Sequence, residues 1–333
     1  MREGRTLYFD FLKGIAILMV IAIHTSVFQK VDNLESFLHT VVRETCNVAV
    51  PLFLTISGYF IGKKAILKGY THVEFLSKQL PRVYIPLLIW SCPMIIIWIV
   101  KGHNVFLSVT KGMLCMAHGP YYFIALIIQL YLLTPIFIFI RDKYYLSGWV
   151  FFLIINMLSV ECLIFSSAMS NLPFVFAVSP FSHWMIFYYT GLCFSKNSRN
   201  YRVMYPFLIF ILGFALQIYS TLYLQSIGYN GTGVKVSAWI YAWGLIVFLF
   251  SRRMENLINR KNIIYHVIVQ IGFRSFGIYL VHVYVLALIK MCIPFVNESW
   301  LLYWILSSLV TISFVSIVGK FLSYKLNRIF GLI

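Results

Sequence analysis

Near the start of the chain, Asp10, Lys13 and His24 combine groups that can pair, bind an anion and move a proton. All three fall in one apolar stretch of membrane-spanning length. At about 100° per residue, Lys13 and His24 lie roughly 20° apart around a helix, and Asp10 lies about 40° from His24. Asp10 and Lys13 can form an ion pair, and a histidine can take a proton from an attacking hydroxyl. The three side chains therefore form a stripe along one face of the helix, called the Asp10/Lys13 stripe below. The stripe predicts a catalytic site, or alternatively a helix-end ion pair beside an interfacial histidine.

Two further pairs of residues share a helix face at i, i+4 spacing. Arg43 and Asn47 would lie near the outer surface, where an ordinary arginine reaching to lipid headgroups is the alternative to a site. Lys78 and Arg82 could bind one anionic group such as a phosphate. The alternative for this pair is the general excess of basic residues on the cytoplasmic side of membrane proteins.

A late apolar stretch carries Ser275, Tyr279 and His282 on one face. His282 would fall near the bilayer midplane, where an ionisable side chain is costly unless it has a partner. The spacing therefore predicts either a structural hydrogen bond or a contact with substrate.

These residues need membrane-spanning helices to position them. Apolar residues make up 61% of the 333-residue chain and charged residues only 11%, against about 25% charged in soluble domains. Mean hydropathy is +0.85. A soluble enzyme, a disordered chain and a disulfide scaffold are excluded. Since a spanning helix needs roughly 20 apolar residues, the sequence predicts an all-α polytopic membrane protein, one domain over residues 1–333. Its ten spans are expected at about 9–29, 41–62, 83–101, 121–140, 147–166, 180–195, 203–224, 234–250, 270–292 and 299–321.

The 27 basic residues are distributed unevenly about these spans. With ten spans, 20 of them lie on one side and 6 on the other, and Lys13 lies within the first helix. This bias predicts that both termini are cytoplasmic. It also explains most of the net charge of +17 without nucleic acid as a partner. The six cysteines form no CxxC pair, so no metal site is expected.

The order of the motifs resembles the membrane-bound acyltransferase family 3. That family's opening helix has an aspartate, an arginine three residues later and a histidine eleven residues after the arginine, similar to Asp10, Lys13 and His24. Further similar segments, in chain order, are Val50 to Tyr59 with its Ser57-Gly58 pair, Lys78 to Pro86, Tyr121 to Pro135, and Ser275 to His282. The resemblance extends from residue 9 to about 284, and the ten-span count agrees with it.

The resemblance implies an O-acyltransferase of the bacterial cytoplasmic membrane. Such an enzyme moves an acyl group, most often acetyl, from cytoplasmic acyl-CoA to a hydroxyl of a cell-envelope polysaccharide or lipid-linked sugar. The chain looks similar to the branch that includes the intercellular-adhesin succinyltransferase type. Catalysis is then expected from Asp10, Lys13 and His24, and acyl-CoA binding from Lys78 and Arg82. Substrate binding is expected from Arg43, Tyr122, Tyr131, Tyr279 and His282.

The sequence departs from the family pattern at two places. Lys13 replaces the arginine, which keeps the charge but loses the planar fork that binds a phosphate or carboxylate at two points. A tryptophan common before the fourth helix is replaced by Tyr121 or Tyr122. These changes leave open a different acyl donor or a reduced activity.

The mechanism we expect has acyl-CoA phosphates near Lys78 and Arg82 and its pantetheine arm along the Asp10/Lys13 stripe. His24 then acts as a base or as a covalent acyl carrier. The rival function is a proton-coupled transporter or a flippase of a glycan precursor, because intramembrane acids, lysines and histidines also serve proton relays. Transporters tend to have broken helices in both halves, whereas Pro51 and Gly58, which permit kinking and close packing, lie in one half. A glycan polymerase would need a larger outer loop. The expected partners are the lipid bilayer and the glycan acceptor, and a homodimer is left open.

Overall fold

The chain folds into helices connected by short loops. The computed structural model describes residues 7–26, 31–67, 69–165, 174–197, 199–227, 234–258 and 260–332, and no strand occurs among them. Within these ranges, eight helical segments are long and apolar enough to cross a membrane. The prediction of an all-α polytopic membrane protein is confirmed.

The helices of the described residues are numbered in chain order. They are α1 (Leu7–Thr25), α2 (Leu34–Cys46), α3 (Ala49–Ala65), α4 (His72–Val100), α5 (Val105–Met113), α6 (Tyr122–Lys143), α7 (Tyr145–Phe165), α8 (Phe174–Val178), α9 (Met185–Lys196), α10 (Met204–Ser226), α11 (Val236–Phe250), α12 (Arg252–Leu257), α13 (Ile263–Phe273), α14 (Ser275–Cys292), α15 (Trp300–Phe321) and α16 (Tyr324–Ile329). Short 3₁₀ turns lie at Gly119–Tyr121, Phe181–His183 and Pro294–Glu298.

Each predicted span coincides with helix, but two of the helices are short for a bilayer crossing. The span at 180–195 corresponds to α9, of 12 residues, and the span at 234–250 to α11, of 15 residues. The span at 41–62 is divided between α2 and α3, and the span at 270–292 between α13 and α14. Residues 27–29, at the end of the first predicted span, and residue 166, at the end of the fifth, lie outside the described residues. The count of ten and the side on which the termini lie stay predictions.

Helix α4 begins well before the predicted start of its span. Its first residue is His72, after an extended Thr71, so Lys78 and Arg82 lie on the helix itself. Hydropathy detects only the apolar part of a helix, and the polar turns that precede it carry no such signal.

The helices that carry Asp10, Lys13, His24, Arg43, Tyr279 and His282 are the most buried of the eight spans. In the central windows of α1, of α2 with α3, and of α14, 56%, 67% and 61% of residues are buried, against 17% to 33% elsewhere. The outer helices α7, α10 and α15 expose large apolar side chains such as Leu158, Leu212 and Leu309. These apolar surfaces suit contact with lipid, and the candidate site is enclosed by the inner helices.

Two crossings near the site bring backbone against backbone. A Cβ at Gly272 on α13 would lie 1.7 Å from the carbonyl oxygen of Asp10, and a Cβ at Gly14 would lie 2.1 Å from that of Ile268. On α3, a Cβ at Gly58 would lie 2.2 Å from a backbone carbonyl oxygen of α9. The predicted close packing at Gly58 is confirmed. Glycine is needed at these crossings because any side chain would push the helices apart.

The Gly272→Ala substitution is expected to destabilise the protein through the α1–α13 crossing. Overpacking in a tight core typically costs about 1–3 kcal/mol, and the obstacle here is backbone, which cannot rotate away. We expect a lower midpoint of thermal unfolding for the detergent-solubilised protein. Gly319→Ala is the matched control, since its Cβ would meet only the Asn327 side chain, at 3.4 Å. Equal unfolding midpoints for the two variants would contradict the inference that the α1–α13 crossing has no room for a side chain at Gly272.

Candidate active site

Asp10 and Lys13 form an ion pair inside α1, as their spacing predicts. Lys13 Nζ lies 2.9 Å from Asp10 Oδ1 and 5.8 Å from the centre of the Phe60 ring. Asp10 is buried, whereas the Lys13 side chain keeps 24% of its surface exposed. Pairing offsets part of the cost of placing both charges among apolar helices. The Lys13 side chain therefore lies paired with Asp10 at the edge of open space.

A cavity of about 420 Å³ lies along α1 from Lys13 to His24 and is called the His24 cavity below. Its polar lining includes Lys13, His24, Arg43, Asn47, Tyr122 and Tyr279. The side chain of His24 is exposed, and its free surface faces this cavity. Helices α1, α2, α6 and α14 thus bring five of the predicted site residues to one place.

His282 lies against His24 and away from the cavity lining. Their ring centres are 5.3 Å apart, and His282 is fully buried. The Nδ1–H of His282 donates to the Tyr279 carbonyl oxygen one turn earlier, which leaves Nε2 as an acceptor. Among the described residues, Nε2 has no hydrogen-bond partner. Substrate binding by His282 stays a prediction, and its position suits a partner of His24.

Tyrosine hydroxyls bonded to backbone carbonyls fix the wall of the His24 cavity. Tyr279 OH donates to a carbonyl just before α6, and Tyr121 OH donates to one on α14 at 2.9 Å. The rings of Tyr122 and Trp184 stack, with their centres 6.2 Å apart. His118 packs edge-on against Tyr121, and burial lowers the pKa of His118 to about 4, so this histidine is neutral at pH 7. The wall between α6 and α14 is therefore uncharged and aromatic.

A second cavity, of about 670 Å³, lies at the other end of the ion pair and is called the Arg82 cavity below. Its polar lining includes Asp10, Arg82, Gln270 and Arg328. Asp10 lines this cavity and Lys13 lines the His24 cavity, so the ion pair lies between the two. Arg328 was not predicted as a site residue, because the uneven distribution of basic residues already accounted for it.

Besides His282, two predicted site residues lie outside both cavity linings. Lys78 pairs with Glu74 on the exposed face of α4. Tyr131 accepts a hydrogen bond of 3.4 Å from Ser57 Oγ on α3. The shared helix face of Lys78 and Arg82 therefore does not bring both cations to one cavity.

A buried polar network beside the His24 cavity was missed in the sequence. Glu44 Oε2 lies 2.8 Å from Lys235 Nζ and accepts hydrogen bonds from Gln217 at 2.8 Å and Asn47 at 2.9 Å. Glu44, Lys235 and Gln217 are buried, and Asn47 reaches the cavity. One feature of the sequence could have indicated this network: Glu44 and Lys235, which carry opposite charges, both fall inside predicted spans. The network ties α2 to α10 and to the start of α11.

Comparison with known proteins places this arrangement in a family. The family model described as an acyltransferase domain, that of acyltransferase family 3, matches residues 6–320. The chain belongs to acyltransferase family 3. The resemblance of its motifs to this family is confirmed, and the membership supports an acyltransferase in a multi-pass membrane protein.

The acyltransferase is also similar to a curated protein over part of its length. It is 27% identical over 139 residues to the nodulation protein NolL of Sinorhizobium fredii. The match covers 40% of this chain and 37% of NolL. No solved structure matches the chain. In its described residues, no three His, Cys, Asp or Glu side chains come together in a group that could hold a metal ion.

Proposed function

We propose that this acyltransferase moves an acetyl or other short acyl group from cytoplasmic acyl-CoA to a hydroxyl of a cell-envelope polysaccharide or lipid-linked sugar. The observation that carries the proposal is the arrangement along α1. One end of the helix places Asp10 in a cavity with two arginines, and the other places His24 in a cavity lined by aromatic and polar groups. The ion pair joins them, so donor and acceptor can reach the same helix from opposite sides of the membrane.

The Arg82 cavity suits the donor. Acyl-CoA carries several phosphate charges, and arginine binds phosphate through paired, charge-assisted hydrogen bonds. Arg82 and Arg328 both line this cavity, and the carboxylate of Asp10 is neutralised by Lys13. In the orientation predicted from the charge bias, in the bacterial cytoplasmic membrane, this cavity faces the cytoplasm. The pantetheine arm would pass the ion pair toward His24.

The His24 cavity suits the acceptor and the reaction. His24 takes the proton of the acceptor hydroxyl as its oxygen attacks the thioester carbonyl. The C–O bond forms, the C–S bond breaks, and the proton on His24 passes to the CoA thiolate. Lys13, about 16 Å from His24 along α1, lies beside the path of the pantetheine arm and not at the reacting carbonyl. Arg43, Tyr122 and Tyr279 line the space left for the sugar, since sugars stack on aromatic rings and hydrogen-bond to polar rims.

His282 holds His24 in the orientation that this step needs. Its Nδ1 is committed to a backbone carbonyl, and its Nε2, which has no partner among the described residues, can accept a hydrogen bond from the His24 ring when the two rings close on each other. A base fixed by a second group is better placed to accept a proton than one that rotates freely.

The purified protein, reconstituted in liposomes, tests the proposal with acetyl-CoA labelled in the acetyl group. Transfer of label to an added glycan or lipid-linked sugar fraction, with release of free CoA, is the expected result. Movement of a glycan precursor across the liposome membrane without label transfer would overturn the proposal in favour of a transporter.

Replacing Arg82 and Arg328 by alanine is expected to weaken donor binding. A hydrogen bond to a charged group contributes about 1.5–3 kcal/mol, so each substitution should raise KM for acyl-CoA by about tenfold or more. Lys325→Ala, an exposed cation next to Arg328, is the matched control and should leave KM unchanged. Lys78→Ala should also have little effect, because Lys78 pairs with Glu74 outside the cavity. If Lys325→Ala and Arg328→Ala raised KM for acyl-CoA equally, the effect would come from general surface charge, and the assignment of the Arg82 cavity to the donor would be wrong.

A further inference from the structure

Phe276 separates the Arg82 cavity from the His24 cavity. Among the described residues it is the one that lines both of them. It stands in the second position of α14, immediately after Ser275, which lines the His24 cavity. The other boundary between the cavities is the Asp10–Lys13 ion pair, with one partner on each side. Phe276 and the ion pair therefore lie where a molecule would pass from one cavity to the other.

The segment Phe330–Leu332 seats this ring. Gly331 has φ +69°, and a Cβ there would lie 2.9 Å from Phe276 Cε1. Trp90 Nε1 donates to the Phe330 carbonyl oxygen at 3.0 Å, and Leu332 is 1% exposed. Because Gly331 also lines the Arg82 cavity, the segment closes that cavity directly against the ring. The ring is held by packing and can move only if this contact loosens.

We propose that Phe276 is the gate between the two cavities and selects acyl groups by their cross-section. The inference rests on the proposed function: the donor's phosphates stay in the Arg82 cavity while its acyl end reaches His24. The acyl group leads the pantetheine arm, so it is the first part to meet the ring. A narrow acetyl group passes with a small displacement of the ring, whereas a branched acyl group needs a larger one. The proposal assigns acyl selection to an apolar residue outside the predicted site.

The test is Phe276→Ala with acetyl-CoA and isobutyryl-CoA as competing donors. The ratio of kcat/KM for isobutyryl over acetyl should rise by about tenfold or more, since a mismatch of a methylene or two in a packed pocket changes kcat/KM by roughly 10- to 200-fold. Phe53→Ala and Phe273→Ala are matched controls, because Phe53 lines only the His24 cavity and Phe273 only the Arg82 cavity. Neither control should change the ratio. An unchanged ratio in a folded, active Phe276→Ala protein overturns the gate.

The seat of the ring offers a second pair of variants. Gly331→Ala should press on Phe276 and lower kcat for acetyl transfer by about tenfold. Gly102→Ala is its control, because Gly102 also has a positive φ, of +83°, but a Cβ there would meet nothing within 4 Å. Equal loss of activity in both variants would attribute the effect to backbone strain alone and overturn the seating role.

A measurement without acyl-CoA separates failure of the gate from failure of the proposed function. Ser26, which lines the His24 cavity, is replaced by cysteine in a background without the native cysteines. A charged thiol reagent added from the side of Arg82 should label Ser26→Cys at least about tenfold faster when Phe276 is alanine. Equal labelling rates overturn the gate. If the wild-type protein transfers no acyl group from any donor, the proposed function fails and the labelling still decides the gate.

Discussion

Replacing His24 by alanine is expected to lower the rate of acyl transfer by about 10²- to 10⁴-fold, the usual contribution of a general base. His24 exposes its ring to the cavity that has room for an acceptor, and Lys13 lines the same cavity. The mutant should still bind acyl-CoA, because the arginines that we assign to the donor lie in the other cavity. The measurement is kcat for label transfer at saturating acyl-CoA, with KM for acyl-CoA determined in parallel.

Two controls make this result specific. His103→Ala removes a histidine from an exposed loop and should leave kcat unchanged. His282→Ala should lower kcat less than His24→Ala, because His282 orients the base and does not line the cavity. If folded His24→Ala protein still transferred label at the wild-type rate, the assignment of the base would be wrong.

Removing one partner of the Glu44–Lys235 pair is expected to destabilise the protein by about 3–5 kcal/mol, the usual cost of leaving a buried charge uncompensated. Lys235→Met leaves the buried carboxylate of Glu44 with only its amide donors. Glu44→Gln leaves the ammonium group of Lys235 without its counter-charge. Each single variant should lower the midpoint of thermal unfolding in detergent.

The double variant Glu44→Gln with Lys235→Met distinguishes a charge effect from loss of packing. It removes both charges, so it should recover most of the stability that either single change loses. Glu74→Gln breaks the exposed Glu74–Lys78 pair and should leave the midpoint unchanged. A double variant that is less stable than both single variants would show that the ion pair is not what holds α2 to α10 and α11.

Some of the candidate site could be predicted because one helix fixes it. The spacing of Asp10, Lys13 and His24 within α1 determines their alignment whatever surrounds them, and the ion pair and the cavity along α1 follow that alignment. Arg43, which was expected near the outer surface, reaches the same cavity from α2.

Contacts between helices far apart in sequence could not be predicted in the same way. Neither periodicity nor hydropathy reports which helices are neighbours. The sequence therefore could not show that His24 contacts His282 or that Glu44 pairs with Lys235. Arg328 was hidden among cations that the charge bias already explained. Phe276 is one phenylalanine among 30, and only the shape of the two cavities distinguishes it.

The crossing at Gly14 and Gly272 has a mechanical consequence. With backbone against backbone, neither α1 nor α13 can rotate or slide without a steric clash. The ion pair and His24 therefore lie on a helix that is held in place, and their separation of about 16 Å along α1 stays constant during the reaction. A carrier that alternates access by rocking its halves would have to move its binding groups relative to one another. In the proposed mechanism the reactants move along a helix α1 that stays in place, and only a small part of the protein, the Phe276 ring, is displaced.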